Sequence, residues 1–179
     1  MKHLFFFVVC MSFFVSSAAA QSNQGPLFEG GVFPTVRFRT FDGKLLTTDF
    51  LKGKVVMYIF TSFNKQCPPC IAQMEGLNEL YDMFSANDSV VFISGISDEN
   101  ATIKSFRKQY DLKYHIVSLE RNEFNRFSKG FPTLILVGAD GKIVKIRKGS
   151  PIELDIAKRR ILAIFEPAIR EELRIIHTL

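Results

Sequence analysis

The sequence predicts an α/β fold in which buried strands alternate with amphipathic helices. Three unbroken apolar runs, at residues 55–60, 90–93 and 134–137, are rich in β-forming residues and typical of strands covered on both faces. Between them, apolar residues recur at steps of three and four, which is the period of a helix with one buried face. The 179 residues are enough for one domain with a sizeable core.

Residues 1–20 precede the fold and have the pattern of a secretory signal peptide. Lys2 and His3 form a short polar region, residues 4–15 form an apolar stretch too short to span a bilayer, and small residues lead up to Ala20. We expect cleavage after Ala20, which gives an exported protein of the periplasm or cell envelope with no stable membrane span. The alternatives are an uncleaved anchor and a lipoprotein attached through Cys10.

The N-terminal part of the mature chain predicts a β-hairpin. Residues 21–31 are polar and glycine-rich, so we expect a flexible lead-in. Apolar and polar residues then alternate from Val36 to Thr40, Asp42-Gly43 forms a turn, and residues 44–47 return. The domain is predicted to span residues 32–165.

The motif Cys67-Pro68-Pro69-Cys70 lies between the first buried strand and a predicted helix. Apolar residues at positions 71, 74, 77, 81 and 84 lie on one face of that helix. Proline is well tolerated in a first helical turn, where no intrahelical N–H bond is needed. Cys67 is therefore expected at the helix N-terminus, where the helix dipole and free N–H groups favour a thiolate.

The second half of the chain predicts further β-α units and a final helix. Residues 97–99 are expected to cap a helix that ends near Tyr110, and a short strand follows at residues 115–117. Phe124 and Phe127 are assigned to a short helix. Asp140-Gly141 is expected to turn the third buried strand into a hairpin partner at residues 143–146.

The C-terminal end predicts a helix with an amphipathic extension. Ser150 and Glu153 have the spacing of a capping box, so we expect a helix from Ile152 to about Phe165. Pro167 is expected to kink the chain. Residues 166–179 then form an amphipathic tail that packs on the body of the protein or on a partner subunit.

Cysteine usage and charge narrow the functional classes. The chain has three cysteines, and Cys10 leaves with the signal peptide, so only Cys67 and Cys70 remain, both in one motif. A formal net charge of +5 is mild and spread along the sequence, which argues against a nucleic-acid site. These features predict a redox-active dithiol in an oxidising compartment.

These pieces together resemble the thioredoxin-like bacterial thiol–disulfide oxidoreductases, in particular the TlpA/ResA-like branch. The resemblance rests on Pro34 and residues 42–44, 53–56, 67–70, 130–133 and 140–144. It implies a central mixed β-sheet flanked by helices, with the N-terminal hairpin and the C-terminal helical extension added. It further implies a cis Pro132 that faces the cysteines, and substrate contacts at Phe131, Pro132, Pro68 and Pro69.

The chain departs from the family pattern at three places. Gln66 stands where the family usually has Trp, and the segment between the first buried strand and Cys67 is slightly longer than usual. Gln73 stands where many members have Glu, and an amide cannot accept a proton at working pH. We expect these changes to affect rate, partner surface and redox poise.

The predicted function is an exported thiol–disulfide oxidoreductase that reduces protein disulfides without a cofactor. Cys67 attacks the substrate disulfide, Cys70 resolves the mixed disulfide, and an upstream electron donor restores the dithiol. One alternative is a copper or other metal carrier with His115 as third ligand, although no second cysteine pair is present and we predict no metal site. The other is a peptide-binding module whose disulfide is structural.

Overall fold

The structure is a computed structural model that describes residues 26–40, 44–62, 67–96, 100–119, 124, 125, 127 and 130–178. The expected signal peptide, the Asp42-Gly43 turn, Gln66 and the capping residues 97–99 lie outside the described residues.

Seven strands form one mixed sheet in the order β2-β1-β5-β4-β3-β6-β7. The strands are β1 (Arg37–Arg39), β2 (Leu45–Thr47), β3 (Val55–Phe60), β4 (Val90–Ile96), β5 (His115–Ser118), β6 (Thr133–Val137) and β7 (Ile143–Lys148). The helices are α1 (Pro68–Ala72), α2 (Met74–Phe84), α3 (Asn100–Gln109) and α4 (Leu154–Thr178), and a 3₁₀ turn spans Thr48–Leu51. The mixed sheet, the first hairpin and the C-terminal helix confirm the predicted fold class.

Strand β3 lies inside the sheet, between β4 and β6, as its unbroken apolar run predicts. All six of its residues are buried. It runs parallel to β4, with Tyr58 opposite Ile93, and antiparallel to β6, with Tyr58 opposite Ile135. Because successive side chains of a strand point to opposite faces, β3 contributes to a core on each side of the sheet.

The two faces of the sheet carry cores of different composition. On one face, Met57 and Ile59 pack with Leu77 of α2 and with Phe165 and Ile169 of α4. The other face is aromatic, and its residues include Phe33, Phe38, Tyr58, Phe60, Phe124 and Phe127. The rings of Phe33 and Tyr58 stack there with their centroids 4.3 Å apart. Burial in this cluster raises the pKa of Tyr58.

The outer edge of β7 is covered by the segment that precedes the first strand. The N–H of Gly30 donates to the Ile143 carbonyl at 2.7 Å, and the Ile143 N–H donates to the Gly31 carbonyl at 2.8 Å. The carboxylate of Glu29 accepts a hydrogen bond from the Ile146 N–H at 3.0 Å. Residues 29–31 were expected in the flexible lead-in, but they are hydrogen-bonded to the sheet.

Helix α4 begins two residues later than its capping-box pattern predicts. The helix starts at Leu154, and the Glu153 carbonyl accepts a hydrogen bond from the Ala157 N–H at 2.9 Å. The predicted helix start at Ile152 is therefore wrong by two residues. The Gly149 N–H donates a hydrogen bond to the Pro132 carbonyl, before β6. The residues after Gly149 must therefore carry the chain away from the sheet before the helix can begin.

The same helix includes the predicted C-terminal tail. It runs through Pro167 to Thr178, and Ile169 beyond the proline is fully buried. Leu173 and Ile176 pack against the same core. Within the described part of the chain, no helix combines the length and apolar character needed to cross a membrane.

Candidate active site

Cys67 and Cys70 form a disulfide at the start of α1, with their Cα atoms 5.3 Å apart. Cys67 is the residue directly before the helix. Its carbonyl accepts hydrogen bonds from the N–H groups of Cys70 at 3.0 Å and of Ile71 at 3.2 Å. These bonds close the first turn of the helix around the motif, so both sulfurs are held on one short turn.

The two cysteines differ in their access to solvent. Cys67 is half-buried, whereas Cys70 is 0% exposed. Thiol–disulfide exchange requires the attacking sulfur to reach its partner. An external disulfide or thiol can therefore approach Cys67, and Cys70 is reached only from within the protein.

Pro68 and Pro69 occupy the first two positions of α1. Pro68 is exposed and Pro69 is half-buried. Neither has an N–H group, so the two residues that follow Cys67 cannot donate a backbone hydrogen bond to its sulfur. Helix α1 also carries no acidic residue in its first turn and no basic residue in its last turn.

The segment Gly130-Phe131-Pro132-Thr133 leads into β6, which is the neighbour of β3. The Phe131-Pro132 peptide bond is cis. The Pro132 carbonyl accepts a hydrogen bond from the Gly149 N–H at 2.7 Å, and the Thr133 hydroxyl donates to the Gly130 carbonyl at 2.8 Å. These contacts hold the segment in one conformation.

Phe131 presents an apolar surface in this segment. Its side chain is 39% exposed, and its ring lies 4.9 Å from the ring of Phe124, centroid to centroid. Phe124 is itself buried against Phe60 at the end of β3. The partly exposed ring of Phe131 thus packs on the aromatic core.

Gln73 separates two helices where the sequence pattern predicts one. Helix α1 ends at Ala72 and α2 begins at Met74. Gln73 is 1% exposed, and neither its Nε2 nor its Oε1 has a hydrogen-bond partner among the described residues. A buried amide without partners is costly, so this position is a polar feature of the site that periodicity did not reveal.

His115, the third ligand of the alternative metal-carrier hypothesis, lies on a strand, whereas the cysteine motif is at the start of α1. His115 is exposed at the first position of β5. Among the residues that the structure describes, no group of three or more His, Cys, Asp or Glu side chains is arranged to hold a metal ion.

The chain matches one family model and several individual proteins. The model of the redoxin family matches residues 28–161. The thiol-disulfide oxidoreductase ResA of Bacillus cereus is 31% identical over 106 residues, which are 58% of this chain and 60% of that protein. The chain thus spans about three fifths of the length of the first curated relatives that it matches.

Solved structures share the fold at low sequence identity. A putative protein disulfide isomerase from Bacteroides thetaiotaomicron superposes with a TM-score of 0.71 at 22% identity, covering 83% of this chain and 91% of that one. A putative thiol:disulfide interchange protein DsbE from Chlorobium tepidum gives 0.68 at 19% identity, covering 82% and 99%. These likenesses confirm the predicted thioredoxin-like fold, and the ResA relative confirms the predicted resemblance.

Proposed function

The chain belongs to the redoxin family, and from that premise we propose that it is a thiol–disulfide oxidoreductase that reduces protein disulfides through Cys67 and Cys70. The observation that carries the proposal is the disulfide at the start of α1, with one half-exposed and one fully buried cysteine. A purely structural disulfide does not need this difference in access.

The reaction consists of two exchange steps. In the reduced protein, the Cys67 thiolate attacks one sulfur of the substrate disulfide and forms a mixed disulfide, and the other substrate sulfur leaves as a thiolate. Cys70 loses its proton and attacks the Cys67 sulfur, which closes the internal disulfide and releases the second substrate thiolate. The substrate thiolates take up two protons. A donor dithiol must then return two electrons and two protons.

Substrate binding is assigned to two segments, the one around the cis-proline and the first turn of α1. Phe131 and Pro132 lie before β6, and Pro68 and Pro69 form the first turn of α1. A substrate segment in an extended conformation can use backbone hydrogen bonds beside Pro132, while its apolar side chains contact the exposed ring of Phe131. The 39% exposure of that ring supports this assignment.

The compartment follows from the first twenty residues. A signal peptide with cleavage after Ala20 delivers the mature chain to the periplasm or cell envelope. Since that environment is oxidising, a reductant there needs an upstream electron donor. We assign protein disulfides as substrates, and no nucleic acid, cofactor or metal enters the proposed reaction.

The test compares two single-cysteine variants on a disulfide-bonded protein such as insulin. Cys67→Ser removes the accessible nucleophile, so reduction should fall to the uncatalysed rate. Cys70→Ser retains the attack but lacks the resolving thiol, so it should accumulate a mixed disulfide that non-reducing electrophoresis and mass spectrometry detect. Full activity of Cys67→Ser would overturn the assignment of roles.

A second measurement addresses the alternative of a structural disulfide. The wild-type disulfide is equilibrated with glutathione buffers of increasing reducing strength. A catalytic disulfide should open under mildly reducing conditions and close again when oxidant is restored. Resistance to reduction in the folded protein would favour a binding module over an oxidoreductase.

A further inference from the structure

A cleft lies at the end of the sheet opposite the cysteine motif. Three segments border it: residues 32–35 before β1, residues 48–54 in and after the 3₁₀ turn, and residues 138–141 in the turn between β6 and β7. Its floor belongs to the aromatic face of the sheet and includes Val56, the second residue of β3. Because Cys67 follows the other end of that strand, the cleft is separate from the proposed active site.

The size and lining of the cleft are those of a small-molecule site. Its volume is about 400 Å³, and such sites measure about 300–1,000 Å³. A dry cavity of about 150 Å³ holds benzene, so this cleft has room for a molecule with two fused rings. Its lining combines a few polar groups with apolar side chains, as is usual for ligand sites. The apolar side chains are those of Val32, Phe33, Leu51, Val56, Tyr58 and Val137.

Tyr58 adds a hydroxyl group to this apolar lining. The Tyr58 side chain is 2% exposed, and its ring stacks on that of Phe33. Burial raises the pKa of the hydroxyl, and no hydrogen bond or nearby charge contributes to the rise. The hydroxyl has no hydrogen-bond partner among the residues that the structure describes. Such a group is unusual, since polar groups in protein interiors are almost always hydrogen-bonded.

The Tyr58 hydroxyl can be reached from the cleft. Unlike the enclosed amide of Gln73, it is not sealed from solvent. Since Tyr58 lines the cleft, a molecule bound there can approach it. A phenolic hydroxyl donates one hydrogen bond. A ligand that places a carbonyl oxygen beside Tyr58 therefore supplies the missing partner.

The charged groups at the rim of the cleft are already engaged within the protein. Each carboxylate has a lysine partner, in the pairs Asp49–Lys52 at 2.8 Å and Asp140–Lys142 at 2.9 Å. The Lys54 ammonium group donates a hydrogen bond to the Asp88 carbonyl at 2.7 Å. A charged ligand would lose hydration here without gaining an unengaged group of opposite charge, which is costly. The rim therefore favours an uncharged ligand.

We propose that this cleft binds a small uncharged aromatic molecule that carries a hydrogen-bond acceptor, such as an aromatic ketone. Its rings pack on the apolar lining beside Phe33, and its acceptor oxygen takes the hydrogen bond of the Tyr58 hydroxyl. Because the cleft and the cysteines lie at opposite ends of β3, binding does not depend on the proposed disulfide exchange.

The experiment titrates the oxidised protein with 2-acetylnaphthalene, which has two fused rings and a ketone oxygen, and follows the backbone amide signals by NMR. We expect a dissociation constant between about 10 µM and 1 mM, the range for a ligand of this size. The shifted signals should belong to residues 32–35, 48–54 and 138–141. The charged analogue 2-naphthoate has the same number of non-hydrogen atoms and should bind at least about tenfold more weakly.

Two variants test the role of the hydroxyl. Tyr58→Phe removes the hydroxyl and keeps the stacked ring, so it should weaken binding of 2-acetylnaphthalene about three- to tenfold, the effect of one hydrogen bond. Naphthalene has no acceptor oxygen and should bind this variant and the wild type equally. Tyr114→Phe makes the same change in a buried tyrosine on the other face of the sheet and should leave both affinities unchanged.

The possible results separate this site from the redox site. The ligand site is overturned if 2-acetylnaphthalene does not bind up to its solubility limit, or if the shifted signals centre on Phe131 instead of the cleft. Binding of 2-naphthoate as tight as that of the ketone would overturn the uncharged class. An unchanged affinity in Tyr58→Phe, or an equal loss of naphthalene binding, would overturn the role of the hydroxyl. Insulin reduction by the cysteines is unaffected by any of these results.

Discussion

Gly76 of α2 lies directly against the backbone of Lys158 in α4, and a β-carbon at position 76 would be 2.9 Å from the Lys158 Cα. This close approach brings the Lys158 ammonium group to 2.8 Å from the Glu75 carboxylate and 2.7 Å from that of Glu79. These ion pairs raise the pKa of Lys158, chiefly through the hydrogen bond to Glu75. The helix that follows the redox motif is thereby held against the C-terminal helix.

We expect Gly76→Ala to lower the free energy of unfolding. Alanine favours the helix by about 1 kcal/mol, but its methyl group meets backbone that cannot move away, and overpacking costs about 1–3 kcal/mol. Gly130→Ala is the matched control, because nothing lies within 4 Å of its added β-carbon. Denaturant unfolding of the oxidised proteins measures both, and an equally stable Gly76→Ala variant would contradict the close packing.

The second prediction compares a buried and an exposed isoleucine of α4. Ile169 is 0% exposed and Ile175 is 40% exposed. Ile169→Ala should lower the free energy of unfolding by about 2–5 kcal/mol, since it leaves a cavity in the core. Ile175→Ala makes the same chemical change at the surface and should cost below about 1 kcal/mol. Similar losses for both variants would show that the end of α4 is not docked as described.

The third prediction concerns Glu172, which lies beside Gly138 in the turn between β6 and β7. Burial raises the pKa of its carboxyl group, and the nearby charges of Asp140 and Glu171 raise it further. Because the folded-state pKa exceeds the unfolded one, the folded state binds more protons in the window just above the ordinary pKa. Stability is therefore lost as the pH rises through that window.

Glu172→Gln removes this penalty. At pH 7 the variant should be more stable than the wild type by about 0.5 kcal/mol or less, because solvent screens a half-buried carboxylate. The advantage should vanish below about pH 4, where the wild-type group is protonated in both states. Denaturant titrations at both pH values measure the difference, and an advantage that persists at low pH would point to a packing effect instead.

The fourth prediction is the redox poise. Pro68 and Pro69 supply no N–H donor to a Cys67 thiolate, and α1 carries no cationic residue. We expect a Cys67 pKa moderately below about 8.5 and a reduction potential nearer about −270 mV than about −120 mV. Equilibration with glutathione measures the potential, and a value above about −150 mV would make the protein an oxidant.

Two substitutions at position 69 test the cause of that poise. Pro69→Ala restores one N–H group without a charge, whereas Pro69→His adds an imidazolium beside the thiolate. The potential should rise in the order wild type, alanine, histidine, since each change stabilises the reduced form. An unchanged potential in Pro69→His would show that the poise is set outside the dipeptide.

The sequence pattern predicted the parts of the fold that depend on continuous apolar runs. Residues 55–60 are predicted as a buried strand and form β3. The prediction succeeds because an unbroken apolar run is typical of a strand with both faces covered. The break between α1 and α2 was missed, since Gln73 interrupts the helix through a local change of backbone that side-chain periodicity does not encode. The late start of α4 was missed because the hydrogen bond between Gly149 and Pro132 joins segments far apart in sequence.

The candidate site was predictable in its motif but not in its surroundings. The spacing of Cys67 and Cys70 identified the redox pair. The contact of the Phe131 ring with Phe124 entered no sequence motif, because only tertiary packing brings the two rings together.

The strap formed by residues 29–31 along β7 has a consequence for the behaviour of the protein at high concentration. An exposed sheet edge is a template for strands of other molecules, and edge-to-edge pairing of this kind starts aggregates. With Glu29 on the Ile146 N–H and Gly30 and Gly31 on Ile143, this edge of the sheet is already occupied. With the proposed cleavage after Ala20, eight residues precede Glu29 in the mature chain. Proteolytic removal of residues 29–31 would expose this edge of β7 and favour aggregation, while the redox centre would stay intact.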